Sequence, residues 1–133
     1  MAIICFDIKS IKDELAIDRI EDKYEIDFSE EFKSFFKENN GGIPKNNSFT
    51  ANGREYEIRC FLSFNEGEYN SIKAPLASFW EETSGRIIPV ARDSGDNYYC
   101  INIETGKVYF WSKDDNLYYC IAGTFKEFIG YLQ

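Results

Sequence analysis

The sequence predicts an α+β fold, with an antiparallel β-sheet meander and helices packed on one side of it. Strand-like runs rich in Val, Ile, Tyr and Phe follow one another from residue 87 to residue 121, separated by short polar turns. Phenylalanines recur at helical spacing between Phe28 and Phe36. Strands and helices are also segregated along the chain rather than alternating, which favours α+β over α/β.

Helical periodicity appears first in residues 8–26, where apolar residues recur among charges at a spacing closer to 3.6 than to 2. This pattern predicts one or two amphipathic helices. At the other end of the chain, Thr124 and Glu127 have the spacing of a capping box, which predicts a closing helix. Its apolar face comprises Phe125, Phe128, Ile129 and Leu132.

A third helix is predicted over residues 29–40. Ser29 can cap it, and the two glutamates that follow favour the positive end of the helix dipole. Gly41 supplies a left-handed stop, with Pro44 just beyond it. We expect the apolar stripe of this helix to lie on the sheet. The stripe consists of Phe28, Phe32, Phe35 and Phe36.

A β-hairpin is predicted where residues 48–51 and 54–61 flank Asn52-Gly53, because both turn residues accept the positive φ of a type I′ turn. Alternation in the second run predicts one packed and one solvated face. Tyr56, Ile58 and Cys60 should be buried, opposite Glu55, Glu57 and Arg59.

Four further strands are predicted at residues 87–92, 98–103, 108–111 and 118–121, joined by turns of meander length. The intervening stretch, residues 65–85, shows a weaker pattern. It predicts a short helix around residues 71–80, interrupted by Pro75.

The length of 133 residues fits a single domain, residues 1–133. The net charge of −8 would repel a nucleic-acid backbone and attract a basic protein, although many acidic proteins are acidic only for solubility. No apolar run approaches the roughly 20 residues that cross a bilayer, and the first residues lack a signal-peptide pattern. We therefore expect a cytoplasmic protein with no membrane partner.

The chain contains no histidine, which removes Ser-His and Cys-His nucleophile pairs and every His-containing zinc site. Its four cysteines are scattered and include no C-x-x-C pair, so we expect reduced thiols. Cys60, Cys100 and Cys120 lie in strand-like runs and should be buried. The sequence thus predicts no catalytic residue, no metal site and no cofactor.

The acidic loop of residues 93–96 admits three interpretations. Asp93 and Ser94 can bond nearby backbone N–H groups, with Gly95 in a conformation that other residues resist. A cation site is less favoured, because the graded ligands of an EF-hand are missing. The carboxylates can also form part of a partner-facing edge. An acid/base pair from Asp93 and Asp96, or from Asp114 and Asp115, is disfavoured because no substrate pocket is evident.

Aromatic residues on alternating strands must in part point outward. Tyr and Trp beside acids suit an interaction surface, although cross-strand pairing that stabilises an exposed sheet face explains them equally well. We predict a partner-binding surface that combines acidic and aromatic residues near the strand ends. Its residues are Asp93, Asp96, Tyr98, Trp111, Asp114, Asp115 and Tyr118.

Three short motifs occur in a characteristic order between about Ile17 and the end of the chain. They are Asn40-Gly41-Gly42-Ile43-Pro44 after a helix, Ile88-Pro89-Val90-Ala91-Arg92-Asp93 with Gly95-Asp96, and Gly106-Lys107-Val108-Tyr109-Phe110-Trp111. In these motifs the chain resembles the SUKH superfamily, the Smi and Knr-like domain. It departs from the usual pattern at Phe28-Ser29, at Ser94 and after Trp111.

The resemblance implies the SUKH (Smi/Knr-like) fold, no enzymatic activity, and binding of a cognate secreted toxin, for example a basic nuclease, as an immunity protein. Two alternatives remain. One is a regulatory scaffold of the Smi/Knr type, and the other is a small-ligand or carbohydrate-binding domain, including a hydrolase that uses Asp93 and Asp96. The toxin's identity, the oligomeric state and the role of residues 65–85 do not follow from the sequence.

Overall fold

The computed structural model describes residues 3–133, which contain four helices and nine short strands. The helices are α1 (Ala16–Tyr24), α2 (Glu30–Asn39), α3 (Lys73–Glu82) and α4 (Phe125–Gly130). The strands are β1 (Cys5–Phe6), β2 (Ile43–Pro44), β3 (Ser48–Ala51), β4 (Arg54–Glu57), β5 (Cys60–Phe61), β6 (Ile87–Arg92), β7 (Tyr98–Asn102), β8 (Val108–Ser112) and β9 (Leu117–Ala122).

Strands β5 to β9 form one five-stranded antiparallel sheet in chain order, which is a meander. Strands β3 and β4 form a separate hairpin, and β1 pairs with β2. The predicted α+β class with an antiparallel meander is therefore confirmed.

The two faces of this sheet are packed differently. We call the side lined by Ile88, Tyr99 and Phe110 the core face, and the side lined by Tyr98 and Trp111 the aromatic face. Helices α2 and α4 pack on the core face, as expected. Helix α3 instead places Phe79 on the aromatic face, so the helices do not all lie on one side.

Helix α2 begins at its predicted cap, where the Ser29 hydroxyl accepts a hydrogen bond from the backbone N–H of Phe32 at 3.1 Å. Phe36 is fully buried and meets Phe61 of β5 edge-on, so the phenylalanine stripe does pack on the sheet. The helix ends in a tight turn, in which Gly41 has φ +66° as predicted.

The turn after α2 also requires a second glycine, for a different reason. A Cβ atom at Gly42 would lie 2.9 Å from the Cβ of Cys5 and 3.0 Å from the carbonyl oxygen of Asn39. Neighbouring Asn40 is fully buried, and its side-chain amide donates to the carbonyl oxygen of Lys9 at 2.6 Å and accepts from the N–H of Phe64 at 2.8 Å. This motif therefore ties three distant segments together.

Only one helix forms within residues 8–26, and it begins at Ala16. The backbone before it is used elsewhere: Lys9 N–H donates to the Asn40 carbonyl oxygen at 2.8 Å, and Lys12 N–H donates to Asn65 Oδ1 at 2.9 Å. These long-range bonds satisfy groups that a longer helix would have paired internally.

The predicted second strand of the hairpin is divided in two. Strand β4 pairs with β3, whereas β5 pairs with β6 in the main sheet. The turn residues Asn52 and Gly53 have φ values of +53° and +75°, as a type I′ turn requires. The alternation survives the change of partner, because Tyr56, Ile58 and Cys60 are all buried as predicted.

Residues 65–85 lie between β5 and β6 in the chain and include α3. Glu68 accepts a 2.6 Å hydrogen bond from the hydroxyl of buried Ser63 and a 3.0 Å bond from Asn65 Nδ2, which anchors the first part of this stretch. Helix α3 follows, and Pro75 lies in its first turn, where the backbone N–H has no intrahelical partner. The proline therefore does not interrupt the helix, contrary to the sequence-based prediction.

The closing helix α4 is capped by Thr124, whose hydroxyl accepts from the N–H of Glu127 at 3.0 Å. Its Phe128 is fully buried and stacks on Tyr99 at 5.5 Å. Among residues 3–133, none of the helices has the length and apolar character of a membrane span.

Candidate functional site

Three predicted aromatic residues lie side by side on the aromatic face. Tyr98 is directly opposite Trp111 in the register of β7 and β8, and Trp111 is directly opposite Tyr118 in that of β8 and β9. Directly opposed residues in an antiparallel sheet point to the same face. All three are half-buried, and they form a row across β7, β8 and β9 close to this end of the sheet. We call this set the aromatic row.

A single residue of α3, Phe79, packs against the aromatic row. The ring of Phe79 lies 5.5 Å from Tyr98, 5.2 Å from Trp111 and 6.4 Å from Tyr118, each in an edge-on arrangement. Edge-to-face pairs at these distances are favourable beyond simple burial. Phe79 of α3 therefore restricts the movement of all three rings of the row.

The sequence prediction missed two residues that extend this platform. Arg92 is directly opposite Tyr98 in β6, and its guanidinium lies 4.7 Å from the ring centre of Tyr69. Tyr69 is 83% exposed, while Arg92 Nε is buried without a hydrogen-bond partner in the described part of the chain. Pattern reasoning could not find Tyr69, because it precedes α3 in a stretch without clear periodicity.

The predicted acidic residues lie in two loops at the same end of the sheet. The loop between β6 and β7 contacts the turn between β8 and β9, since Lys113 N–H donates to Asn97 Oδ1 at 2.8 Å. The side chain of Lys113 lies 4.0 Å from Asp96. Thus all seven predicted residues come from one end of the sheet.

Asp93 holds its own loop together. Its carboxylate accepts hydrogen bonds from the N–H groups of Gly95 at 2.9 Å and Asn97 at 2.8 Å, and from the Asn97 side-chain amide at 2.9 Å. This is the turn chemistry expected from the sequence. The left-handed residue, however, is Asp96 with φ +64°, not Gly95 as predicted. Aspartate tolerates this conformation better than most residues do.

Asp115 is engaged in a similar way, accepting from the Tyr119 hydroxyl at 2.6 Å and from the N–H of Leu117 at 3.0 Å. The bond from Tyr119 is the main reason why the pKa of Asp115 is lowered. Asp96 and Asp114 remain exposed. Asp96 lies 3.9 Å from Arg92, and Asp114 has no hydrogen bond or ion pair within residues 3–133.

The polar tips of the aromatic row are uncharged at neutral pH. Burial raises the pKa of Tyr98, and burial raises the pKa of Tyr118 to about 12. The indole N–H of Trp111 donates to Asn116 Oδ1 at 2.8 Å, which fixes the ring plane. The row therefore offers rigid apolar rings with hydroxyl groups at their edges, which is the chemistry of a binding surface.

The cysteines near this site follow the prediction only in part. Cys60 and Cys100 are buried, and burial raises the pKa of both thiols, so they remain protonated. Cys120 is exposed, contrary to the prediction. It lies on β9, the edge strand, and does not belong to the cluster around Phe79.

The acid pairs considered from the sequence do not form a free acid/base couple. The carboxylate of Asp93 is saturated by loop hydrogen bonds, and that of Asp115 by Tyr119 and Leu117. In the part of the chain that the structure describes, no three Cys, Asp or Glu side chains are grouped to hold a metal ion. This end of the sheet has the features of a recognition surface.

Comparison with protein families gives the same picture of the fold. Residues 14–129 match the SUKH_6 family model, which is described as SMI1-KNR4 cell-wall. The chain belongs to the SMI1-KNR4 family. The matched range includes all four helices and the five-stranded sheet except the last residue of α4. Proteins of this family are generally non-catalytic and are often immunity proteins.

The chain is also similar to the SPbeta prophage-derived uncharacterized protein YokK of Bacillus subtilis (strain 168). The two are 32% identical over 66 residues, which is 47% of this chain and 34% of the relative. The chain therefore matches about a third of the length of that relative.

Proposed function

We propose that this member of the SMI1-KNR4 family is a cytoplasmic immunity protein that binds a cognate toxin and blocks its active site. The contact surface is the aromatic row with the acidic loops beside it: Asp93, Asp96, Tyr98, Trp111, Asp114, Asp115 and Tyr118, extended by Tyr69 and Arg92. The observation that carries the proposal is the packing of Phe79 against three aligned aromatic rings, each of which stays half-exposed.

The chemistry of the row supports protein binding. Trp, Tyr and Arg dominate the energetic hot spots of protein interfaces. Because Tyr98, Trp111 and Tyr118 are fixed by cross-strand neighbours and by Phe79, little side-chain entropy is lost when a partner covers them. A preorganised surface of this kind suits tight inhibition.

The charges divide the acidic residues by role. Asp93 and Asp115 keep the loops in shape. Asp114 is left at the rim for a partner's cations, and Asp96 is exposed beside it, within ion-pair distance of Arg92 and Lys113. The overall charge of −8 also speeds the encounter with a basic protein such as a nuclease, especially at low salt.

The direct test is calorimetric titration against the toxin encoded next to this gene, inactivated by mutation so that it can be produced. We expect a stable 1:1 complex. Replacement Trp111→Ala should weaken binding about 30-fold or more, the effect of losing a hot spot of about 2 kcal/mol. Phe6→Ala is the matched control, because Phe6 is an exposed aromatic residue on β1, and it should change affinity less than twofold.

Two results would contradict the proposal. If no adjacent toxin binds at micromolar concentration, the immunity function is wrong. If the toxin binds but Trp111→Ala and Phe6→Ala behave alike, the contact surface is elsewhere. The alternative of a regulatory scaffold is favoured by the words "cell-wall" in the family description. It predicts an endogenous partner and no toxin gene beside this one.

A further inference from the structure

A concave site lies on the core face, apart from the aromatic row. It is a groove of about 700 Å³ between the start of α2, the turn joining β7 to β8 and the start of α4. This volume is in the range of typical ligand pockets. Its floor is formed by the apolar side chains of Phe28, Phe32, Ile88 and Ile101.

The groove is separated from the aromatic row by the sheet itself. Ile88 and Ile101 are directly opposite each other near one end of β6 and β7 and belong to the core cluster, whereas Tyr98 begins β7 at the other end. Ile103 and Phe125 stand half-exposed as the walls of the groove. An occupant here and a partner on the aromatic row would not compete for the same atoms.

The rim of the groove is acidic. Glu25, Asp27 and Glu31 line it and are exposed, while Lys126 is the one basic residue among the lining residues in the described part of the chain. Residues 18–31 contain seven carboxylates and only two basic side chains, Arg19 and Lys23. The groove therefore lies in the region where much of the chain's negative charge is concentrated.

Of the three rim carboxylates, the nearby cation Lys33 interacts with Asp27. It is held by Glu30 at 3.3 Å and by Glu21 at 3.7 Å, and the hydrogen bond with Glu30 is the main reason why its pKa is raised. Neither Glu25 nor Glu31 forms an ion pair with any residue in 3–133. These carboxylates are available to an external cation.

The shape favours a linear occupant over a compact one. A shallower depression, lined by Glu21, Asp22, Glu25, Ile26 and Asp27, adjoins the groove and shares its last three residues. Together they form an apolar trough that continues into an acidic strip. An anionic ligand would be repelled by this potential, and a purely apolar ligand would leave the rim carboxylates unpaired.

We infer that this groove docks a segment of a partner protein in which large apolar side chains are flanked by lysine or arginine residues. The apolar side chains enter the trough between Ile103 and Phe125, and the basic residues pair with Glu25, Asp27 and Glu31. This site goes beyond the proposed toxin-binding surface, because it lies on the other face of the sheet and has a different chemistry.

The test uses three synthetic peptides titrated into the ¹⁵N-labelled full-length protein and followed by NMR. The first has a central Leu-Phe pair flanked by three lysines on each side. In the second, Ser-Ser replaces Leu-Phe, and in the third, glutamates replace the lysines. We expect the first to shift the amides of Ile103, Gly106 and Phe125, and each control peptide to bind at least about tenfold more weakly.

Variants distinguish docking in the groove from general attraction to an acidic protein. Glu25→Lys with Glu31→Lys should weaken the first peptide about tenfold or more, since two attractive contacts become repulsive. Ile103→Ser should weaken it without any change of charge. The matched control is Glu81→Lys with Glu82→Lys, which makes the same charge change on exposed residues of α3 and should change affinity less than twofold.

The inference is overturned if the two double variants weaken binding equally, if the shifts fall on the aromatic row, or if no shifts occur. It is also overturned if hexylamine binds as tightly as the first peptide and shifts the same amides, because the groove would then be a site for small cationic amphiphiles. No toxin is used in this experiment, so its failure leaves the proposed immunity function untouched.

Discussion

The two faces of the five-stranded sheet show how one set of strands can provide both a core and a recognition surface. On the core face, Ile88, Tyr99, Val108 and Phe110 are each at most 4% exposed. On the aromatic face, their strand neighbours Tyr98, Tyr109 and Trp111 are half-buried and Cys120 is exposed. Because side chains alternate along a strand, neighbouring residues serve stability and recognition separately.

The difference arises from the helices. Helices α2 and α4 close the core face with phenylalanines that interlock with those of the sheet. Helix α3 covers the aromatic face with Phe79, since its other buried residue, Leu76, joins the main core. Phe79 therefore holds the aromatic row in place, but the row stays partly exposed to solvent.

The largest expected effect tests the core face. Phe36→Ala should lower the free energy of unfolding by about 3–5 kcal/mol, because Phe36 is fully buried against Phe32, Phe61 and Phe64. Urea denaturation measures it. Tyr69→Ala, which truncates an exposed ring, should change stability by no more than about 0.5 kcal/mol. Equal losses from the two would mean that the faces do not differ as described.

A smaller effect is expected on the aromatic face. Phe79→Ala should cost about 2–3 kcal/mol, less than Phe36→Ala, because the cavity that it leaves borders solvent and can partly collapse. In a Trp80→Phe background, fluorescence of Trp111 should shift to longer wavelength as the brace is lost. Unchanged emission would show that Phe79 does not hold the row. The Trp80→Phe protein alone is the reference.

The two aspartates of the loop between β6 and β7 separate stability from recognition. Asp93→Ala should lower the unfolding free energy by about 1–2 kcal/mol, because the N–H groups of Gly95 and Asn97 lose their acceptor. Asp96→Asn, which removes the charge but keeps a side chain that tolerates a φ of +64°, should change it by no more than about 0.5 kcal/mol. Thermal unfolding compares them. A larger loss for Asp96 would reverse the assigned roles.

The smallest effect concerns alkaline pH. Burial raises the pKa of Tyr118 to about 12, above that of an unfolded tyrosine near 10, so this contribution to stability is complete below about pH 10. It declines as pH rises from 10 towards 12, because the unfolded state loses its proton first. Urea midpoints should fall less over this range in Tyr118→Phe than in the wild type. Identical slopes would exclude the effect.

The core face is not covered completely by the helices, because the groove lies between the starts of α2 and α4. There the helices leave Ile103 and Phe125 half-exposed beside an acidic rim. The molecule thus combines a flat aromatic platform on one face with a concave acidic trough on the other. The two sites differ in shape and in charge.

Local features were well predicted from the sequence, because neighbouring residues determine them. Ser29 and Thr124 cap helices, and Asn52-Gly53 turns the hairpin, since each depends on bonds or dihedral angles within a few residues. These predictions needed no knowledge of distant contacts.

Other predictions failed where distant residues decide the outcome. Residues 8–15, the first part of the stretch predicted to hold one or two helices, are not helical, because backbone groups of Lys9 and Lys12 bind Asn40 and Asn65 instead. Cys120 is exposed because β9 is an edge strand, and Asp96 rather than Gly95 takes the positive φ of its loop. In each case, tertiary contacts overrode a local preference.

By itself, the sequence determined the α+β class, the helix caps, the hairpin turn and the acidic character of the chain, because composition, spacing and short-range hydrogen bonds specify them. Only the tertiary structure decided that Phe79 braces the aromatic row, that Arg92 meets Tyr69, and that acidic residues surround an apolar groove. Each of these depends on packing between segments far apart in the chain, and sequence periodicity alone does not determine which segments meet.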